Sequence, residues 1–310
     1  MHVESARILL LVVNYELNNK PENFTKLEGQ SSLASELANS IMSSDLLRIC
    51  DPRAYYNQFI LEGIYPDGRR IQDFRPVTIQ MGIAPSCEGS SVANQGGATI
   101  TCKIEPFLSP VSDIPVIVPH LKAAPAVPQA SLDDVEELLW QLVDQEAFIS
   151  KENLKTANGR LTWILHMDGF VVDALTTCIV SALMDLTLPV ISIALDDDAP
   201  LDLKEVCISE ERTTFDLSDI PVASTFLTYE VFGKQAEILC DPGEDLFAIA
   251  ASNVTVVAGN HSRLHKISQR GECSQELLQK MVSMALGRQE VVANSLLEAR
   301  KKHMKKKNKL

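Results

Sequence analysis

Val77, Ile79, Met81 and Ile83 alternate with polar neighbours, the period of a strand with one buried face. "GSSVAN", the turn "QGG" and "ATITCKIE" follow as two further strands, with Ile100, Cys102 and Ile104 on one face; together they predict a meander. The spacing changes to three and four at Val135, Leu138, Leu139, Leu142 and Val143, a helix that Ser131 is placed to cap, with Asp134 at its third position. "NGRLTWILH" restarts a strand after an Asn-Gly turn. "DALTTCIVSALMDL" then predicts a helix with Ala174, Cys178, Ile179, Ala182 and Leu183 inward, stopped by Pro189.

The plan repeats. "VASTFLTYEV", "AEILC", "SNVTVV" and "RLHKIS" read as strands, and a helix from about Ser274 to Ala299 buries Leu277, Met281, Met284, Val292 and Leu296. Strands then helix, twice over, predict an α+β chain of two similar halves. Ahead of them, Pro52 and Gly63 start and stop a short helix in "DPRAYYNQFILEG", and Leu33, Leu37 and Ile41 space another. A Pro-rich stretch from Pro106 to Pro128 reads as loop. The expected division is an N-terminal extension over 1–50, halves over 51–190 and 191–300, and a basic tail over 301–310.

Composition narrows the classes. At 310 residues, 45% hydrophobic and 22% charged, the chain has the makings of a folded body with a sizeable core. Net charge is −13, unevenly spread: "RKKHMKKKNKL" holds seven of the 28 Lys and Arg, leaving 21 basic against 41 acidic groups, or −20, before it. Such a body repels free nucleic acid unless partners supply positive surface. The tail reads as a nuclear-localisation signal, an RNA-touching arm, or a solvated, frayed helix end. The seven cysteines are scattered with no CxxC pair, which fits reduced thiols better than zinc or disulfides. No apolar run approaches the roughly 20 residues of a membrane helix, so no membrane role is expected. The short "RILLLVV" lacks the flanks of a signal peptide.

Tyr55-Tyr56, the "PDGR" turn at Pro66 to Arg69 and "FRPVTIQMG", with Arg75 before the first strand and Gly82 after it, resemble the opening of the RNase PH family. "EGSSVANQGGATITCKIEP" continues the resemblance: Glu88 stands where relatives carry Asp, while Gly89, Ser90, Gly97 and Thr99 fit. "GRLTWILH", "MDGFVVDA", "PVASTFLTY" and "ILCDPGED" extend it over roughly residues 51–300. The pattern is most similar to non-catalytic ring subunits of the eukaryotic RNA exosome. The resemblance implies an RNase PH-like fold (ribosomal protein S5 domain 2-like). It also implies a six-membered ring that threads RNA to separate nucleases for rRNA 3′-end maturation and mRNA turnover, in nucleus, nucleolus and cytoplasm. Implied partners are other RNase PH-like ring subunits (nearest the Rrp forty-six type), RNA-binding cap subunits and RNA; no cofactor is implied.

Active relatives use a Thr-Arg or Ser-Arg step after an Asp-Gly turn to hold phosphate, and an Asp-x-x-Glu-Asp segment followed six residues later by Asp. Here the turn is Asp168-Gly169 and the step reads Val171-Val172. Asp241, Glu244 and Asp245 match, but the sixth residue after Asp245 is Ala251. One carboxylate does not replace two where a pair must hold a cation or divide acid and base roles. The loop that is Arg-rich in active relatives carries only Lys122, and His120 there has no partner acid beside it. His166 is expected to end a strand in the core. His261, Arg263 and His265 read either as the best residual cationic group of the body or, in preference, as part of a plain hairpin. Arg69, Arg70 and Arg75 are expected to serve packing, subunit contact or weak phosphate attraction. The expectation is a non-catalytic ring subunit with no catalytic, metal or cofactor residues, touching RNA through Arg263, Lys301 and Lys302. The alternative is an active phosphorolytic 3′-to-5′ exoribonuclease, in which Asp245 has a partner acid elsewhere.

Overall fold

In the computed structural model, which describes residues 44, 46–96, 98–110, 117–122, 129–155, 161–169, 174–193, 206–231 and 236–307, the chain divides into two units. The first comprises Met1–Ile71, Val231–Gln235 and Glu244–Ile249; the second takes Gln72–Glu230, Ala236–Gly243 and Ala250–Leu310. The proposed helix around Leu33, Leu37 and Ile41 lies outside the described residues.

In the first unit, helix α1 (Pro52–Ile60) starts as expected. Asp51 caps it by accepting the Ala54 N–H at 3.0 Å, and Pro52 occupies a position that needs no N–H donor. The Pro-Asp-Gly turn closes when Tyr65 N–H donates to the Arg69 carbonyl at 2.7 Å, with Gly68 left-handed at φ +82°. The Arg69 guanidinium stacks on the Tyr65 ring, 4.2 Å from its centroid.

The second unit opens with β1 (Val77–Met81), β2 (Gly89–Gln95) and β3 (Ala98–Pro110), followed by β4 (Ile117–Leu121) and β5 (Leu161–Gly169). They form one sheet in the order β1-β2-β3-β5-β4, antiparallel except where β4 runs parallel to β5. Helix α2 (Gln129–Asp144) packs near β4, and α3 (Leu175–Asp185) lies against β2 and β3. Ile100, Cys102 and Ile104 face inward as their spacing predicts and join Leu139, Leu142, Leu165, Cys178 and Leu183 in the main core. At Gly89 a Cβ atom would stand 2.7 Å from the Ala182 carbonyl oxygen, so glycine there lets α3 press onto β2.

After a two-stranded ribbon, β6 (Thr187–Ile193) with β7 (Val206–Thr214), comes a second sheet. It is built from β8 (Val222–Tyr229), β9 (Glu237–Cys240), β10 (Ser252–Ala258) and β11 (Leu264–Gly271), in the antiparallel order β11-β10-β8-β9. Helix α4 (Gln275–Lys307) runs against β8, β10 and β1. It buries Met281 and Ala285 against Phe226, Val254 and Val256, and then Val292 and Leu296 in the main core.

Four expectations change. The stretch from Pro106 to Pro128 is not one loop: it contains the end of β3 and all of β4. Beyond Ile104, β5 is the one strand paired with β3 among the described residues, and there Pro106 and Pro110, which lack an N–H, are tolerated in a strand. Ser131 lies inside α2, which begins at Gln129, so it is not the cap. Helix α3 ends at Asp185, well before Pro189, which sits in β6 beside a register shift. Asp168 and Gly169 are the last residues of β5, paired with Lys103 and Cys102, rather than a turn.

Candidate functional site

Asp241 follows β9 directly and holds a left-handed backbone, φ +48°. Its side chain has 0% of its surface exposed. Oδ2 accepts from Arg75 N–H at 2.9 Å, Arg75 Nε at 2.9 Å and Gln95 Nε2 at 3.0 Å, while Oδ1 accepts from Arg75 Nη2 at 2.7 Å. Burial alone pushes this carboxyl up. The Arg75 guanidinium, the Gln95 amide and the Arg75 N–H overcome it and hold the carboxyl at about 2. Gln95 in turn accepts from Arg288 Nη2 at 3.2 Å, and the Arg288 guanidinium lies 4.2 Å over the Phe74 ring. Gly96, at φ +59°, lets Arg75 lie across the β2–β3 turn, where a Cβ would collide with the guanidinium. Arg75 therefore serves packing: it joins the approach to β1 to the end of β9.

In the first unit, Asp245 sits in the single helical turn Glu244–Phe247. Its Oδ2 accepts from Arg48 Nε at 2.8 Å, from Arg48 Nη2 and from the Tyr56 hydroxyl at 3.2 Å. Burial first, and the negative Asp245 second, push the Tyr56 hydroxyl up to about 12, so it remains a proton donor at neutral pH. Arg48, from the N-terminal extension, was not anticipated, since nothing in a local pattern joins residues 197 positions apart.

A second buried network lies at the end of the sheet. Asp219 Oδ1 accepts from the N–H groups of Ile220 at 2.7 Å and Asn260 at 2.6 Å, and Oδ2 lies 2.9 Å from His265 Nε2. Gln289 donates from Nε2 to the Ile220 carbonyl at 3.1 Å and to Asn260 Oδ1 at 2.9 Å. Of the two readings of His261, Arg263 and His265, the plain hairpin between β10 and β11 holds and the single cationic group does not. His265 points inward to Asp219, whereas His261 (left-handed, φ 54°) and Arg263 are exposed.

His120 is exposed in β4, and His166 lies in β5 opposite Glu105. Glu88 pairs with Arg212, and Ser90 Oγ accepts the Ala84 N–H at 3.0 Å. Ala251 precedes β10 and donates its N–H to the Thr228 carbonyl at 2.9 Å. Val171 and Val172 lie outside the described residues. Lys301 and Lys302 are exposed on α4, which is helical to Lys307. One signal for the unforeseen Arg288 was available: it interrupts the apolar stripe Met281, Ala285, Val292, Leu296, and an Arg on such a stripe needs a buried partner.

No protein-family model matches the chain. It is similar to the exosome complex component Rrp42 of Methanothermobacter thermautotrophicus, 25% identical over 243 residues that span 71% of this chain and 84% of the relative. It is also similar to the exosome complex component rrp43 of Schizosaccharomyces pombe, 23% identical over 255 residues, 76% of this chain and 91% of the relative. Among solved structures, the Archaeoglobus fulgidus exosome with RNA bound to the active site superposes with a TM-score of 0.62 at 17% identity, covering 82% of this chain and 99% of that one. The fold is RNase PH-like, and the relatives it matches are exosome complex components.

Proposed function

We propose, starting from the chain's kinship with RNase PH-like exosome ring components, that it is a non-catalytic ring subunit of the Rrp43 type, supporting 3′-to-5′ RNA processing and degradation by passing RNA to separate nucleases. One observation carries the non-catalytic part: both described carboxylates of the segment that resembles the family's acidic motif are already held by protein cations. Asp241 has no exposed surface and accepts four hydrogen bonds from Arg75 and Gln95; Asp245 is held by Arg48 and Tyr56. Buried Asp241 does not hold magnesium or shuttle a proton without first losing Arg75, while Asp245, in a half-exposed pair, has its carboxylate engaged by Arg48 and Tyr56.

Assembly with other ring subunits is supported by exposed apolar side chains on strands whose outer edge is unpaired among the described residues: Leu264 at 42% and Ile267 at 38% on β11, and Ile208 at 66% on β7. The expected nearest neighbour is a subunit of the Rrp46 type, with cap subunits and RNA as further partners and Arg263, Lys301 and Lys302 as RNA contacts. Residence in nucleus, nucleolus and cytoplasm belongs to the same reading.

The test is release of nucleoside diphosphates from poly(A) by the pure chain in inorganic phosphate and magnesium. No release is expected, from the native chain or from Arg48→Ala, which removes the cation beside Asp245 and leaves the Tyr56 hydroxyl in place. Release that Asp245→Asn abolishes would overturn the non-catalytic reading. Coexpression with the other ring subunits tests assembly, and a chain that copurifies with none of them refutes it.

A further inference from the structure

Helix α4 is 33 residues long, and its buried stripe does not end with the core. Ala285, Arg288, Gln289, Val292, Ala293 and Leu296 face inward, and His303, two turns beyond Leu296, continues the stripe. His303 Nε2 lies 2.8 Å from Asp185 Oδ1, a close polar contact without hydrogen-bond alignment. The ring rests on Gly82, where any Cβ would collide with it. Asp185 is the last residue of α3, where the helix dipole disfavours a carboxylate, and its Oδ2 accepts the Ser90 N–H at 3.1 Å. The basic end of the chain is thus latched to the first sheet.

The latch decides where the lysines go. Lys301, Lys302, Lys305 and Lys306 fall off the inward stripe and are exposed on the outer side of the helix. The pairs 301/305 and 302/306 are each one turn apart, about 6 Å along the axis. Glu298, 3.9 Å from Lys302, is the acid paired to this strip among the described residues.

We propose that this outer strip is a rigid contact for the phosphate backbone of single-stranded RNA, read without regard to sequence, and that His303 is its positioning residue. The choice of RNA rests on the ring reading above. The chemistry of the strip agrees with it. Four lysines with no aromatic among them suit a phosphate chain, which takes point charges at many geometries, whereas protein-interface cores are depleted in Lys and enriched in aromatic residues. A body with a net charge of −20 ahead of Arg300 adds its own reason to confine such contacts to one strip.

The experiment measures binding of a fluorescent oligo(A) to the full chain across a salt series. Four phosphates neutralised on a single strand give a log–log salt slope of about −2.8, so affinity falls roughly 50-fold between about 50 and 200 mM salt. The variant Lys301→Gln/Lys302→Gln/Lys305→Gln/Lys306→Gln is expected to lose that part of the slope, and an unchanged slope overturns the proposal. His303→Ala is expected to weaken RNA binding several-fold and to speed amide exchange over residues 297–307. Faster exchange with unaltered RNA affinity overturns the positioning role. Polyglutamate is the competitor for the other occupant: a strip that binds it but not oligo(A) takes an acidic protein, and the RNA assignment fails. Copurification with ring subunits is scored separately, so loss of the ring reading is distinguishable from loss of this one.

Discussion

Asp241→Asn isolates the charge of the Arg75 clasp from its geometry. Asparagine has nearly the same shape and tolerates the left-handed backbone at φ +48°, so strain is not added. What is removed is the negative partner of a guanidinium that is only 26% exposed. The magnitude follows from proton linkage. Holding the carboxyl at about 2, against an ordinary 3.8, corresponds to about 2.4 kcal/mol at 1.36 kcal/mol per tenfold change in proton affinity. Because the folded-state value is the lower one, this contribution is complete above pH 3.8 and is lost as pH falls towards 2. Urea unfolding of both proteins from pH 7 downward should therefore show a gap of about 2–3 kcal/mol at neutral pH that narrows by roughly 1 kcal/mol at pH 3. A gap that stays constant over this range, or none at pH 7, would refute the reasoning.

Gly96→Ala should destabilise by about 1–3 kcal/mol in a thermal melt, since φ +59° strains alanine and its Cβ displaces Arg75; Gly96→Asn, better suited to that backbone, should cost no less, because the collision remains. Cys178 is fully buried, its thiol pushed up chiefly by that burial, so iodoacetamide followed by mass spectrometry should label exposed Cys50 and Cys207 in the native chain and reach Cys178 only on unfolding. Leu296→Ala should cost about 2–5 kcal/mol by emptying a fully buried site, as read by denaturant midpoint.

Where a segment buries one face, its residues announce it. The alternation of Val77, Ile79 and Met81 became β1, that of Ile100, Cys102 and Ile104 became β3, and the three-and-four spacing at Leu138, Leu139 and Leu142 became α2. The strand–helix order and the family motifs, which depend on local pattern, were legible for the same reason. Segments stabilised by something distant were not. Strand β7 reads "VCISEERTT", polar and exposed along most of its length, and it is a strand because β6 pairs with it. Helix α4 outlasts its apolar pattern because His303 finds Asp185 and Gly82 across the fold. The acids of "DPGED" show the same division. Sequence marked Asp241 and Asp245 as candidates by residue type and spacing. Only tertiary structure decided that Asp241 meets Arg75, 166 residues away, and that Asp245 meets Arg48, 197 away. Hydrogen bonds and ion pairs act over about 3 Å of space whatever the separation along the chain, so a carboxylate's occupation is a property of the folded neighbourhood and has no local signature.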